Sequence, residues 1–145
     1  FTFFPEKQPL LRIHPERDAA LIVNHHFNSG DGYLAYSLIA VVDNHLKDVF
    51  EEMPLLVGDN HCGTNFKETP QFKVLDGSAG GYSRLRLSIK LRKEADESTC
   101  ERPTKGYTRY FNYLLVWQPS RKRYVTGGDA TSRLRRADKA LGFEF

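Results

Sequence analysis

Residues 80–92 read GGYSRLRLSIKLR, and from Ser83 onward the run alternates almost without fault. Leu85, Leu87, Ile89 and Leu91 fall on one side, while Arg84, Arg86, Ser88, Lys90 and Arg92 fall on the other. A period of two is what a half-buried β-strand needs, because successive side chains leave opposite faces of the pleat. The glycine pair ahead of it suits a tight turn that takes positive φ. The stretch therefore predicts a central strand with one face in the core and a basic outer face.

Working outward, the flanking segments repeat the idea. Residues 18–27 centre on Leu21-Ile22-Val23, the turn formers Asn28-Ser29-Gly30-Asp31-Gly32 follow, and residues 33–42 form a second strand. Asp43-Asn44 marks a hairpin turn, residues 46–50 a third strand, and Glu51-Glu52 and Pro54 a break before the short piece Leu55-Leu56-Val57. A second block holds a short strand at 72–75, a turn at 76–81, the opening strand, a polar loop at 93–106 and an aromatic-rich strand at 107–117. A closing hairpin then brings back Arg123-Tyr124-Val125. Upstream, Pro5, Pro9 and Pro15 make residues 1–15 an extended arm anchored by Leu10, Leu11 and Ile13. Downstream, Asp129 or Thr131 caps a short helix, Leu134, Ala137 and Leu141 supply its apolar face, and Gly142 ends it. The expected fold is mainly β: antiparallel sheets from two strand–turn–strand blocks, as a sandwich or barrel, with a short C-terminal helix. Ser29-Gly30-Asp31-Gly32-Tyr33 matches Ser78-Ala79-Gly80-Gly81-Tyr82, the tyrosines lying 49 residues apart (33 to 82). The match suggests an internal duplication of residues 21–57 and 72–125 within a single domain spanning 1–145.

The totals bound the function. A chain of 145 residues that is 40% hydrophobic can bury a core as one domain. The net charge of +3 balances 21 Lys and Arg against 18 Asp and Glu, which does not call for a nucleic-acid partner. No apolar run reaches the roughly 18 residues of a membrane-spanning helix. The sequence opens FTFFPEK without an initiator methionine, which implies a removed signal peptide or a domain boundary. Cys62 and Cys100 both sit in polar, turn-like contexts, and this favours a disulfide and an oxidising compartment. Closing the 38 residues between them (62 to 100) would contribute ~4 kcal/mol on the chain-entropy view. With no N-x-Ser/Thr sequon present, a bacterial periplasm or secretion fits.

Sites of chemistry are sparse. His25 and His26 are adjacent and point to opposite faces of a strand, while His45 and His61 fall in turns. None has the spacing of a metal pair, so no metal and no cofactor is expected. Asp31-Gly32 has too few neighbouring oxygens for a calcium loop. No G-x-S-x-G elbow supplies a nucleophile, and GSAGGY lacks the Lys-Ser/Thr ending of a phosphate loop. No catalytic residue is assigned. The basic stripe remains, to be read either as a contact surface or as a solvated face paired with Glu94, Asp96 or Glu97.

At SGDGY, at SAGGY and at the hairpin VWQPSRKRYV, the chain resembles secreted bacterial proteins built from β-hairpin repeats, over roughly residues 21–125. The acidic residues such repeats carry beside the tyrosine are absent at Ser83-Arg84, so ion binding is not implied. At the level of size and class, the resemblance points to periplasmic inhibitors and immunity proteins that neutralise toxins or cell-wall hydrolases. The expected function is therefore an exported, non-enzymatic domain that binds another protein. Asn28, Ser29, Asp31, Tyr33, Ser78, Tyr82, Arg84 and Arg86 are its expected contacts, since small residues and tyrosines suit docking loops. The alternative is an envelope carbohydrate-binding module or small hydrolase, with Tyr110, Tyr113 and Trp117 as a sugar platform. Phe111, Tyr113, Leu115 and Trp117 share one strand face, which reads more naturally as core.

Overall fold

The computed structural model describes residues 2–3, 9–28, 31–59, 65–96 and 100–142. Alternating sequence becomes long strands, as its period requires. They are β1 (Thr2–Phe3), β2 (Leu10–His14), β3 (Arg17–Asn28), β4 (Asp31–Val42), β5 (His45–Asp59), β6 (Asn65–Ala79), β7 (Tyr82–Lys93), β8 (Tyr107–Gln118) and β9 (Arg123–Gly127). One helix, α1 (Ala130–Ala140), follows. Strands dominate the described residues, and they form a seven-stranded closed barrel with extra strands. The mainly-β expectation with a short C-terminal helix is met, in its barrel form.

The strands run β1-β3-β4-β5-β6-β7-β8-β9, with β2 on β3 and off this path. All neighbours along it are antiparallel. Closure comes from β9 returning to β5, where Tyr124 pairs with Phe50 in parallel. At Asp43 and Asn44 φ is +53° and +59°, and at Gly80 and Gly81 it is +59° and +83°. Both are two-residue turns of the kind that matches strand twist. Gly81 is fixed for a second reason: a Cβ there would lie 2.9 Å from His14 Nε2.

Two strands are longer than the sequence implies. β5 continues through Pro54, which pairs with Ala35, and β6 runs through Pro70, which pairs with Ile89. The reason lies in how β5 and β6 diverge. Their ladder covers only Val57 to Asp59 against Asn65 to Lys67. Beyond it, each proline occupies a strand whose other edge has no ladder partner at that point, so a missing N–H costs little. The expected turn at 76–81 also shrinks. β6 reaches Ala79 through a register shift between Leu75 and Ser78. Gly77 sits at φ +86° in that bulge, and Arg84 braces it by donating from Nε and NH2 to the Asp76 carbonyl at 3.1 and 2.8 Å.

The alternation of β7 is realised as read: Leu85, Leu87, Ile89 and Leu91 are all 1% exposed or less. Phe111, Tyr113, Leu115 and Trp117 face them from β8 and are also buried. Helix α1 buries Ala130, Leu134, Ala137 and Asp138, and Gly142 ends it at φ +95°. Asp129 holds the N-cap position without a side-chain cap; its carbonyl accepts from Arg133 N at 3.0 Å.

Because Leu87 is enclosed from both neighbouring strands, truncation to alanine leaves a cavity that the barrel cannot collapse. L87A is expected to lose about 3 kcal/mol of unfolding free energy in urea titration, with an unchanged m-value.

Candidate functional site

Strands β6, β7 and β8 lie side by side with continuous register, so their outward residues form a grid of four rows. The rows are Lys67–Arg92–Thr108, Thr69–Lys90–Tyr110, Gln71–Ser88–Asn112 and Lys73–Arg86–Leu114. Five of these twelve residues are cations and none is an acid. All five cations are exposed. Tyr110 is 58% exposed and Leu114 41%. The middle rows sink into an open groove of about 750 Å3 whose walls include Thr69, Lys90 and Tyr110. Ser88 and Asn112 line it as well, the Ser88 hydroxyl donating to Asn112 Oδ1 at 2.6 Å.

The paired-face reading of the stripe holds for one arginine. Arg92 meets Glu94 at 3.7 Å, a loose and exposed contact worth little. Asp96 instead serves Lys93, and Glu97 lies outside the described residues. Sequence reasoning put Lys93 in a loop. It ends β7, buried, with its ammonium 2.8 Å from Asp96 Oδ1 and 2.8 Å from Thr104 Oγ1. The pair ties the 94–106 connection to the barrel end.

The expected contact residues do not converge. The hairpin of β6 and β7 packs on the start of β3: Arg17 NH1 donates to the Tyr82 hydroxyl at 2.6 Å. The hairpin of β3 and β4 closes where Asn28 pairs with Asp31, at the far end of β3. Eleven residues of extended chain separate those ends, roughly 35 Å. Ser29 and the side chains of Asn28 and Asp31 lie outside what is described. Tyr33 is 37% exposed and stacks on His26 with ring centroids 4.7 Å apart. Ser78 is exposed, and Arg84 is turned back to its own bulge. Tyr82 is buried against Trp117, the rings stacked at 3.8 Å, so its ring is core and not a contact. Trp117 and Tyr113 are buried too, which removes them from any sugar platform and leaves Tyr110 alone of the three. Of the expected contacts, Arg86 stands on the grid. The two S-x-x-G-Y motifs are also out of step. Their hairpins close 51 residues apart (28 to 79, 31 to 82), while the tyrosines are 49 apart.

A second cluster was invisible in the sequence. Glu68 on β6 and Asp138 on α1 are 1% and 3% exposed. Burial holds the Asp138 carboxyl above its ordinary range, and the hydrogen bond with Glu68 and the charge of Arg135 oppose this in part. Burial, with the Glu68 and Asp138 charges, likewise pushes the nearby Tyr113 hydroxyl up. That hydroxyl donates to the Ala130 carbonyl at 3.4 Å. Paired carboxyls with displaced affinities are a signature of acid–base sites. Here both are enclosed between β6 and α1, where they bond to each other. Among the described residues no group of three His, Cys, Asp or Glu side chains is arranged to hold a metal ion. Family models, curated proteins and solved structures give no match to this chain.

Since folding raises the Asp138 affinity for its proton, that contribution to stability is full below the unfolded value near 3.8 and is lost as pH rises through the folded value. D138N keeps the shape without the charge. It is expected to be more stable than the parent at pH 7, with the difference shrinking towards pH 4, as read from urea midpoints across that range. A variant less stable at pH 7 would contradict this account of the helix.

Proposed function

We propose that this protein is an exported, non-enzymatic binding domain that docks an acidic surface of another protein, as inhibitors and immunity proteins do. The outer face of β6, β7 and β8 is the docking surface. One observation carries the reading: five exposed cations and no carboxylate share a rigid twelve-residue grid. Holding like charges together on a sheet favours a partner of opposite sign. Tyr110 and Leu114 add exposed apolar area beside the charges, which suits a folded protein better than a bare polyanion. The site thus moves from the two glycine-rich loops to the strand face, with Arg86 common to both.

Export rests on the two cysteines. Cys62 lies outside the described residues, but its flanking chain is placed. Asn65, three residues beyond it, accepts from Glu94 N through its carbonyl at 2.8 Å, which ties the start of β6 to the end of β7. No disulfide is seen among the described residues, and the Cys62–Cys100 bridge is proposed on the polar sequence context of the two cysteines.

Two experiments bear on these statements. Affinity capture with the native protein from periplasm should recover a stoichiometric acidic protein. Its affinity, measured with purified components, should fall at least tenfold in R86E/K90E and weaken with added salt. Recovery of no stoichiometric protein, or of nucleic acid in its place, overturns the docking reading. For the disulfide, intact mass of freshly isolated protein should show two alkylated cysteines only after reduction. Alkylation of both without reduction overturns export.

A further inference from the structure

A second cleft, which shares Tyr110 with the groove of the docking face, lies between β8 and α1. β9 pairs with β8 only at Leu114 to Gln118, so the 107–113 half of β8 lacks a strand on that side. The helix packs against β8 instead, with Phe111 and Ala137 lining the cleft. The cleft encloses about 340 Å3, and its polar lining is Arg109, Arg133 and Arg136, with Tyr110 at the rim. Arg133 and Arg136 stand three residues apart on one helix face and Arg109 reaches in from the strand.

Among the described residues none of these three guanidinium groups pairs with a carboxylate. The nearest buried acid on the helix, Asp138, is turned to Glu68. Two of the arginines are instead laid over rings: Arg109 over Tyr107 at 4.8 Å and Arg133 over Phe111 at 6.0 Å. Ring contacts hold the guanidinium plane while leaving its N–H edge free to donate. Three such edges around one space, with no acid to neutralise them, fit a multiply charged oxyanion, and the guanidinium fork matches phosphate oxygens in pairs. At about 340 Å3 the cleft is also larger than a bare ion needs, which leaves room for a group attached to the phosphate.

We infer that the β8–α1 cleft binds a phosphomonoester, with Arg109, Arg133 and Arg136 on the phosphoryl oxygens and the attached group in the remaining volume of the cleft. This site does not depend on the docking of an acidic protein, and the two fail independently.

Calorimetric titration of the whole chain, at fixed ionic strength, with inorganic phosphate and with phenyl phosphate is the test. Phenyl phosphate should bind saturably and several-fold more tightly than phosphate. R133Q/R136Q should weaken it at least tenfold, while R86Q/K90Q on the docking face leaves it unchanged. If the double variant loses its circular-dichroism signature, R136Q alone replaces it, with a loss of at least threefold expected. No saturable binding overturns the site. So does equal affinity for the two probes, which would mean an adventitious ion only, and so does equal loss in R86Q/K90Q, which would mean a general charge effect.

Discussion

Closure of the barrel rests on one narrow contact. The last strand is short, and it returns to β5 through a single parallel pairing of Tyr124 with Phe50. Both side chains are buried, at 1% and 2% exposure. Around them the aromatic residues form a continuous plug: Tyr124 meets Trp117 edge-on at 5.3 Å, Trp117 stacks on Tyr82, and Tyr82 takes the hydroxyl bond from Arg17. The Tyr124 hydroxyl donates to the Ser83 carbonyl at 2.8 Å, so even its polar atom is satisfied within the plug. At the same end Lys122 pairs with Asp43, linking the turn before β9 to the turn before β5. A last strand left open would expose its edge to foreign strands; its return to β5 reduces that hazard on the β9 side.

The brevity of β9 has a structural consequence. It leaves half of β8 without a strand, and α1 covers that half. A helix cannot extend the ladder, so it covers by side-chain packing and brings its own chemistry. Leu134 and Ala137 face the barrel, Asp138 is carried inside against Glu68, and the arginines on either side are left at the rim. The buried carboxyls and the arginine cleft are thus two results of one substitution of helix for strand. The docking face has a different origin. It lies on the outside of three strands in full register, where backbone pairing alone holds the cations side by side.

Much of this was legible in residue order. The GGYSRLRLSIKLR run fixes its own strand, its buried face and its turn, because period and positive-φ glycines act locally. Asp43-Asn44 and Gly142 announce themselves for the same reason. Pro54 misled, since a proline reports a missing donor but not whether that donor had a partner to lose. The divergence of β5 from β6 answers that, and it is a property of the whole sheet. SGDGY and SAGGY misled in another way. Their letters match, but the hairpin pairings fall two residues out of step, leaving Tyr33 partly exposed and Tyr82 in the core.

By itself the sequence determined the strand periodicity, the turns, the apolar faces and the outward aim of the arginines on β7. These follow from covalent geometry and solvation over a few residues. Tertiary structure alone decided which strands become neighbours, and with that which cations stand together on β6, β7 and β8. It also decided that the two glycine-rich hairpins lie at opposite ends of a strand, that Glu68 meets Asp138, and that Arg109 joins Arg133 and Arg136. Each of these juxtapositions joins residues far apart in the chain, and only the closing of the barrel and the seating of α1 bring them within reach.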